Sequence, residues 1–527
     1  MAGERRDGRQ SGRPRTGRAL AAGAALLWIA VGQSALADDP SASPDSKRAA
    51  LFAEVFGDIQ GYYLDPLSLP VLAEAGLDAL GGSGDVFRVE HNEHIISFRH
   101  RGELLGQAAR PADDDTDGWG AVMAVGAAKA KAVTPGLADS DEDDIDETMI
   151  SAMLKHFDRF SRYSGPQPAQ AQRDNRDGFG GVGIAIDQTD PLPRVTDVFV
   201  GGPAADAGLR VDDHLLAVDG KLLQGLTRDA VVDLLRGPIS SVVDVAVRRE
   251  TAAIPVTFRL TRALIVPPTV HPHMVQPGIV AIRISEFNAE TSTTLDAVLL
   301  DAKRGEAGYL RGIILDLRGN PGGLLAKGGG VDAASLFLDH GDIVSTRGRN
   351  PGSIQHFVAD NHDVTEGIPL AILVNGGSAS AAEVLTAALQ DQGRAVVIGS
   401  ASYGKGTVQE VNDLRNGAEL TLTWARLYPP DGYLLHGHGV IPQFCTSGTM
   451  QGIDTIIAQG LHPRDPLQEM PRASLDDGQW ARLREHCPPV MGDNAHDIEV
   501  AERVLQDRTI YRAALRAPTT IARRLGD

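Results

Sequence analysis

The sequence predicts a multidomain α+β protein with a helical N-terminal region, a β-rich module, an α/β core with a mainly parallel sheet, and a helical C-terminal tail. Three observations favour this class. The chain has 527 residues, which is too long for one hydrophobic core. Short β segments and turns fill residues 176–262. From residue 278 onward, apolar runs alternate with helical patterns, which is typical of a parallel sheet.

The amino-acid composition argues against disorder and against nucleic-acid binding. Hydrophobic residues make up 42% of the chain and charged residues 23%, which is ordinary for folded domains and argues against global disorder. The formal net charge is −19. Binding to a phosphate backbone needs clustered Lys and Arg, so we expect no nucleic-acid partner.

The first 37 residues have the layout of a signal peptide. An Arg-rich start precedes an apolar run of about 14 residues at 19–32, and Ala35 and Ala37 form a small-residue cleavage pattern. The run is shorter than the roughly 20 residues that span a bilayer. We therefore expect cleavage and a periplasmic or secreted protein. An uncleaved segment would instead associate the protein with the membrane.

Helical patterns at 49–80 and 143–160 define an N-terminal region over residues 38–175. Between them, an insert at about 81–141 contains a predicted hairpin at 85–106 and an acidic loop at 113–117. We assign no chemistry to this insert.

The β-rich module, residues 176–262, has one predicted helix at 228–235. Its candidate strands are 182–187, 195–199, 214–218, 242–248 and 255–260.

The core, residues 263–443, has candidate strands that read as buried on both faces. These strands are 279–284, 312–317, 370–374 and 395–398, and the helices between them are 291–303, 324–337 and 380–392. Residues 444–527 form a polar, helical extension without an assigned function.

The extension region holds both cysteines, Cys445 and Cys487. Two thiols cannot complete a structural zinc site, and export permits a disulfide. We favour a disulfide over two free thiols.

Ser380 is the candidate nucleophile. It lies in GSASAAE, residues 377–383, which follows a buried strand and opens a helix. The N–H groups and dipole at a helix N-terminus favour negative charge on an attacked carbonyl. Ser380 and Glu383 also fit a capping box, which needs no catalysis.

The candidate base is Lys405, which lies between two glycines in GKGTVQ, residues 404–409. Neither His271 and His273 nor His436 and His438 pair with an acid in a recognisable pattern, and we read them as structural. Lysine acts as a base only when neutral, so burial must lower its pKa from about 10.4. A glycine turn in DLRGNPGG, residues 316–323, would supply backbone N–H groups to an oxyanion.

In this order, the three motifs resemble those of the carboxyl-terminal processing proteases, also called tail-specific proteases. The resemblance begins weakly at residues 152–163 and runs to Pro442, leaving out the insert and the tail. It implies a Ser-Lys dyad of Ser380 and Lys405, which stands 25 residues further on. It also implies that Gln409 orients Lys405, which requires a helical turn there. Gly319 and Ala382 depart from the family's usual residues without removing a chemical group.

The oxyanion hole implied by the resemblance is made by the N–H of Ala381 and that of Gly322 or Gly323. The β-rich module resembles a PDZ domain, which implies a carboxylate-binding loop at Gly181, Val182, Gly183 and Ile184. A PDZ-like fold kept only as a lid is the alternative.

The resemblance also makes Arg236 a candidate for coupling peptide binding to the core. It thus implies an exported serine endopeptidase that cuts protein substrates at or near free C-termini, gated by the PDZ module, without a metal or organic cofactor. An adaptor protein and a homo-oligomer are left open. The alternative function is a catalytically silent PDZ scaffold that binds C-terminal tails.

Overall fold

The computed structural model describes residues 43–84, 87–189, 191–305, 310–360, 362–447, 452–462 and 465–515. The predicted signal peptide, residues 1–37, lies outside them. Within the described ranges, no helix is long and apolar enough to cross a lipid bilayer. The predicted fold class is confirmed, since a helical region, a β-rich module, a core with a mainly parallel sheet and a helical tail follow one another.

The N-terminal region is mainly helical. Its elements are α1 (Pro44–Tyr62), α2 (Leu69–Asp78), a 3-10 turn (Ala79–Gly84), β1 (Phe87–His91), β2 (Ile95–His100), β3 (Glu103–Ala109), α3 (Thr116–Val133), α4 (Pro135–Ala138), α5 (Glu142–Leu154), β4 (Arg162–Ser164) and α6 (Pro166–Asp177). The predicted hairpin is instead an antiparallel sheet in the order β1–β2–β3. The acidic loop caps α3, because the Asp115 carboxylate accepts a hydrogen bond from the Gly118 N–H at 2.9 Å.

The β-rich module consists of an antiparallel sheet, two short helices and a separate pair of strands. Its elements are β5 (Phe179–Gly181), β6 (Ile184–Thr189), β7 (Leu192–Val198), α7 (Pro203–Ala207), β8 (His214–Val218), β9 (Lys221–Leu222), α8 (Arg228–Leu235), β10 (Val242–Arg248), β11 (Val256–Thr261) and β12 (Ala263–Ile265). The strand order is β11–β10–β8–β7–β6. Strands β5 and β12 pair with each other, so the chain enters and leaves the module side by side.

The core contains two sheets. Its elements are β13 (Val270–Gln276), β14 (Ile279–Ile284), α9 (Thr291–Arg304), β15 (Gly312–Asp316), α10 (Gly330–Ser335), β16 (Asp342–Gly348), a 3-10 turn (Pro351–Ser353), β17 (Gln355–Val358), β18 (Leu370–Val374), α11 (Ala381–Asp391), β19 (Val396–Gly399), β20 (Thr407–Asp413), β21 (Glu419–Tyr428) and β22 (Phe444–Cys445). The first sheet runs β13–β14–β15–β18–β19–β22 and is parallel except for β13. The second runs β17–β16–β21–β20 and takes β4 of the N-terminal region as a further partner of β21. Helix α10 is shorter than predicted because Gly328 has a φ of +85°, which a right-handed helix excludes.

The C-terminal extension covers one face of the parallel sheet. Its elements are α12 (Ile453–Leu461), two 3-10 turns (Pro466–Glu469 and Arg472–Ser474), α13 (Asp477–His486), α14 (Ala495–Gln506) and α15 (Arg508–Leu515). Buried Val504 and Leu505 of α14 pack with Ile314 and Leu373 of the sheet. Continuous apolar strands need such cover on both faces. A disulfide between Cys445 and Cys487 joins β22 to the end of α13.

Candidate active site

Ser380 lies between the end of β18 and the first turn of α11, as the sequence predicts. Its φ of +55° and ψ of −118° are unusual for a residue with a side chain. Its neighbour Ser378 is fully buried, and the Ser378 hydroxyl donates to the Leu317 carbonyl at 2.8 Å. Ser378 therefore fixes the turn, and Ser380 is the serine left to face the cleft.

Lys405 lines the same cavity as Ser380, a cleft of about 380 Å³. The Lys405 ammonium nitrogen lies 5.2 Å from the centre of the Phe160 ring. A Cβ at Gly406 would lie 2.0 Å from the His436 backbone nitrogen, so only glycine permits this approach. Among the hydrogen bonds of the described residues there is none between Lys405 Nζ and Ser380 Oγ. Both groups thus reach one cavity without forming a closed pair.

The environment of Lys405 favours its neutral form. Burial is the main cause that lowers the pKa of Lys405 below its usual value, and the nearby positive charge of Arg162 lowers it further. The negative charges of Glu383 and Asp158 act in the opposite direction. A lowered pKa is the property that a lysine needs to act as a general base at neutral pH.

The carboxylate of Glu383 ties the serine and lysine segments together. It is 1% exposed, and its Oε2 accepts the N–H groups of Ser380 at 2.9 Å and Lys405 at 2.8 Å. Its Oε1 accepts the Gly404 N–H at 2.6 Å and the Ser402 hydroxyl. The sequence indicated only a capping partner at this position. The longer-range bonds have no sequence signal, because they depend on how β19 places residues 402–405.

Two backbone N–H groups near Ser380 are free to stabilise an oxyanion. The Gly322 N–H is occupied, since it donates to the Asn320 side-chain oxygen at 2.8 Å. In the described part of the chain, the N–H groups of Gly323 and Ala381 have no acceptor. Of the two glycines that the sequence left open, the geometry therefore favours Gly323. Gly322 instead packs on Ser380, as a Cβ there would lie 2.7 Å from the Ser380 Cβ.

Gln409 lines the cavity, but the helical turn expected at this position is wrong, because residues 407–413 form strand β20. The Gln409 amide nitrogen donates to the hydroxyls of Thr407 at 2.8 Å and Thr423 at 3.3 Å. Thr407 and Gln409 share one face of the strand because side chains alternate. The structure thus brings Gln409 to the site without a direct bond to Lys405, and its orienting role stays a prediction.

The predicted carboxylate-binding loop, residues 181–184, lies between β5 and β6. The Val182 and Gly183 carbonyls accept the N–H groups of Ala204 at 2.9 Å and Phe199 at 3.0 Å, which fixes the loop. Gly183 has a φ of +80°, which glycine adopts without strain. The loop's neighbour β6 is the edge strand of its sheet, and the Ile186 carbonyl on it accepts a hydrogen bond from the Arg228 side chain of α8 at 3.3 Å.

Arg236 contacts the helix that enters the active site. Its guanidinium donates to the Asp174 carboxylate of α6 at 2.5 Å and lies 4.0 Å from the centre of the Phe179 ring. Gln172 and Asn175 of the same helix line the cleft that holds Ser380 and Lys405. Helix α6 thus links the module to the cleft.

The tail, for which the sequence indicated no function, supports the serine turn. The Gly376 N–H donates to the Val490 carbonyl at 2.8 Å, and the Val490 N–H donates to the Ser400 hydroxyl at 3.1 Å. Arg484 of α13 donates to the carbonyls of Ser402 at 2.9 Å and His438 at 2.7 Å, beside the lysine loop. Polar spacing in the tail gave no signal for these contacts, which depend on its path across the sheet.

Of the four histidines that the sequence places in two pairs, His438 has an acid partner among the described residues, since its Nε2 lies 3.1 Å from the exposed Asp477 carboxylate, outside the cleft. His271 and His273 lie exposed on β13. His436 packs edge-on against Phe160, with ring centres 5.8 Å apart. His438 stacks on a tryptophan of the tail.

Comparisons with known proteins identify the core and the β-rich module. The family model of peptidase family S41 matches residues 278–445, and that of the PDZ domain matches residues 194–249. The core and the β-rich module therefore define a serine peptidase that carries a PDZ domain.

Relatives with similar sequences show which kind of serine peptidase this chain is. A carboxy-terminal-processing protease of Bartonella bacilliformis is 36% identical over 304 residues, which cover 57% of this chain and 69% of that protein. A carboxyl-terminal-processing protease of Synechocystis sp. is 35% identical over 308 residues, covering 56% and 69%. A solved photosystem II D1 C-terminal processing protease is 26% identical with a TM-score of 0.36, covering 76% of this chain and 92% of that one. This chain belongs to the carboxyl-terminal processing protease family and is a C-terminal processing serine protease with a PDZ domain.

Proposed function

We propose that this protein is an exported endopeptidase that cleaves protein substrates at or near their C-termini, with Ser380 as nucleophile and Lys405 as general base. The observation that carries the proposal is the cleft shared by Ser380, a half-buried Lys405 and Gly323. The N–H groups of Gly323 and of Ala381, the residue after Ser380, have no acceptor in the described part of the chain. This combination supplies a nucleophile, a base and an oxyanion site.

In the proposed reaction, Lys405 Nζ takes the proton of Ser380 Oγ as Oγ bonds to the substrate carbonyl carbon. The carbonyl oxygen becomes an oxyanion and accepts the N–H groups of Gly323 and Ala381. The C–N bond then breaks, and the proton held by Lys405 passes to the departing amine. Water hydrolyses the Ser380 ester with Lys405 again as base, which regenerates the enzyme.

The PDZ domain is proposed to capture the substrate's free C-terminus and to control the dyad. An extended peptide can add to the edge strand β6, with its carboxylate at the loop of residues 181–184. Arg236 then transmits binding through Asp174 and α6 to the cleft. The absence of a Ser380–Lys405 bond in the described structure fits a dyad that closes when substrate binds.

Export is a further part of the proposal. The Arg-rich start, the short apolar run and the Ala35–Ala37 pattern support cleavage after Ala37. Intact mass of the protein recovered from the periplasm or medium should give Asp38 as the first residue. A full-length mass in the membrane fraction would contradict cleavage.

The central test uses purified protein, its Ser380→Ala and Lys405→Ala variants, and an unstructured protein substrate with an apolar C-terminal tail. We expect fragments from the wild type alone, read by intact mass. A variant that cuts as well as the wild type would remove that residue from the mechanism. Three inert proteins that still bind the tail would favour the scaffold function.

Gating is tested with Arg236→Ala. A tail peptide should accelerate cleavage of a separate reporter peptide by the wild type, and this acceleration should be lost in the variant while tail binding persists. Arg194→Ala is the matched control, because Arg194 pairs with Asp212 inside the module. Equal acceleration in all three proteins would rule out Arg236 as the link.

A further inference from the structure

Arg162 lines the catalytic cleft with Ser380 and Lys405, yet neither the motifs nor the proposed mechanism gives it a role. It lies on the short strand β4, where its backbone pairs with Thr421 of β21. Thr421 lines the cleft as well. The sheet therefore fixes the base of the Arg162 side chain at the cleft.

Within the described part of the chain, Arg162 forms no ion pair. Two arginines of α6 do have carboxylate partners. Arg173 pairs with Asp413 and Glu419, and Arg176 pairs with Asp177 and Glu419. Within the described ranges no carboxylate lies within 4.0 Å of Arg162, and Glu419, whose charge acts on it, is already shared by the other two arginines.

A neutral amide orients the guanidinium instead. The Gln172 side-chain nitrogen donates to the Ser164 hydroxyl at 3.0 Å, which turns its oxygen towards Arg162 at 3.5 Å. An arginine held by a neutral partner keeps its charge and its remaining donors for a ligand. Glu286 is the one carboxylate among the residues that line the described cleft, in a chain of net charge −19.

We propose that Arg162 is a specificity-determining residue that binds a carboxylate of the substrate inside the catalytic cleft. The inference rests on the proposed function, because it places that carboxylate beside the bond that Ser380 attacks. Guanidinium and carboxylate match in a two-point geometry, which gives position as well as attraction. The carboxylate comes from the substrate's chain end or from an acidic side chain.

Two series of internally quenched peptides separate these sources. In the first, C-terminally amidated peptides carry Asp or Asn at successive positions around the cleaved bond. In the second, neutral peptides end in a free acid or an amide at increasing distances from the bond. The readout is the ratio of kcat/KM within each pair, since any change in the protonation of Lys405 affects both members and cancels.

For the wild type we expect a preference of about tenfold for the anionic member of at least one pair, the size of a charged hydrogen bond. Arg162→Gln should bring that ratio close to one, and Arg162→Lys should keep part of it. Arg173→Gln is the matched control and should leave it unchanged, because Arg173 already has carboxylate partners. Loss in the first series identifies an acidic side chain, and loss in the second the chain end.

If the ratio for every pair is the same in Arg162→Gln and in the wild type, the inference is overturned. A preference that comes from the PDZ loop would give this result, because both proteins retain that loop. The proposed function fails separately, if Ser380→Ala cuts as the wild type does or if the wild type cuts nothing. If the wild type cuts nothing, the same pairs are compared as ligands of the wild type and of Arg162→Gln by calorimetry, where the ratio of Kd values decides. If Ser380→Ala still cuts, the ratios of kcat/KM remain the test.

Discussion

Ser380 is held in a backbone conformation that costs a residue with a side chain roughly 1–2 kcal/mol. Hydrogen bonds to the backbone on both sides hold Ser380 in this conformation. The Ser380 N–H is fixed by Glu383, and the N–H of the preceding Ala379 donates to the Asn320 carbonyl at 2.9 Å. In this conformation the Ser380 side chain leaves the buried turn and lines the cleft. The backbone strain is therefore the cost of placing the hydroxyl there.

Gly322 is the residue whose change should test this arrangement most sharply. Its φ is +101°, and an added Cβ would lie 2.7 Å from the Ser380 Cβ and 3.0 Å from the Ala381 nitrogen. We expect Gly322→Ala to displace both Ser380 and the Ala381 N–H, the proposed nucleophile and oxyanion donor, and to lower kcat by about 10²-fold or more. Steady-state kinetics on a cleavable peptide measures this.

Gly319→Ala is the matched control for Gly322→Ala. Gly319 also has a positive φ, +72°, but a Cβ there meets open space. The control should therefore lose about 1 kcal/mol of stability through backbone strain and keep most of its activity. Equal losses of kcat in the two variants would mean that strain, and not contact with Ser380, controls the site.

The sequence predicted the chemical groups of the site better than the bonds that hold them. Ser380 and Lys405 could be found because a serine at a strand-to-helix turn and a lysine between glycines are local patterns. Glu383 binds atoms about 20 residues further along the chain, and Phe160 reaches Lys405 from the N-terminal region. Such contacts are set by tertiary packing, which no local spacing encodes.

At the scale of elements, buried parallel strands were the most predictable part. Strands β14 and β18 match their predicted bounds, because a short apolar run between turn residues has few other interpretations. The second sheet, β17–β16–β21–β20, was missed. Leu420 and Leu422 of β21 are covered by the N-terminal helices, so the sheet depends on an element far away in the sequence.

The contact between α1 and the second sheet should make stability depend on pH. Burial, with the nearby charges of Glu54 and Glu410, raises the pKa of Asp58 to about 7. Its pKa in the unfolded chain is about 3.9, so the folded state binds the proton more tightly. The stabilisation is fully present below about pH 4 and is lost as pH rises through 7, where a charge must be buried.

Asp58→Asn should therefore raise the free energy of unfolding at pH 8 by about 1–2 kcal/mol relative to the wild type, with little gain at pH 4. Thermal midpoints at the two pH values measure this. Asp45→Asn, which removes an exposed carboxylate from the same helix, should show no such gain at pH 8. If Asp58→Asn shifts the midpoint equally at both values, Asp58 titrates normally in the folded protein.

At the scale of the molecule, the extension is part of the peptidase core. It lies beyond the motifs, so no local sequence pattern connects it with Ser380. The structure does so through Val490, whose carbonyl holds the Gly376 N–H at 2.8 Å in the turn that leads to Ser380. Val490 follows Cys487 by three residues, so the disulfide anchors the segment that carries this contact.

Replacing both cysteines, Cys445→Ala with Cys487→Ala, should act on stability and on catalysis together. Opening a loop with a sequence separation of 42 residues lowers stability by about 2–4 kcal/mol. A looser Val490 segment should also lower kcat/KM, because the turn before Ser380 loses its support. Thermal midpoints and peptide cleavage report the two effects, and the wild type treated with a thiol reductant should match the variant in both.

The same reductant must leave the double variant unchanged, which separates loss of the disulfide from other effects of the thiol. If the midpoint falls while kcat/KM at 25 °C stays at the wild-type value, the extension stabilises the sheet without supporting the serine turn. If the midpoint and kcat/KM fall together, the extension both covers one face of the sheet and holds Ser380 in place. The extension is then as necessary to the peptidase as the motifs themselves, because those motifs specify chemical groups whose positions depend on residues outside them.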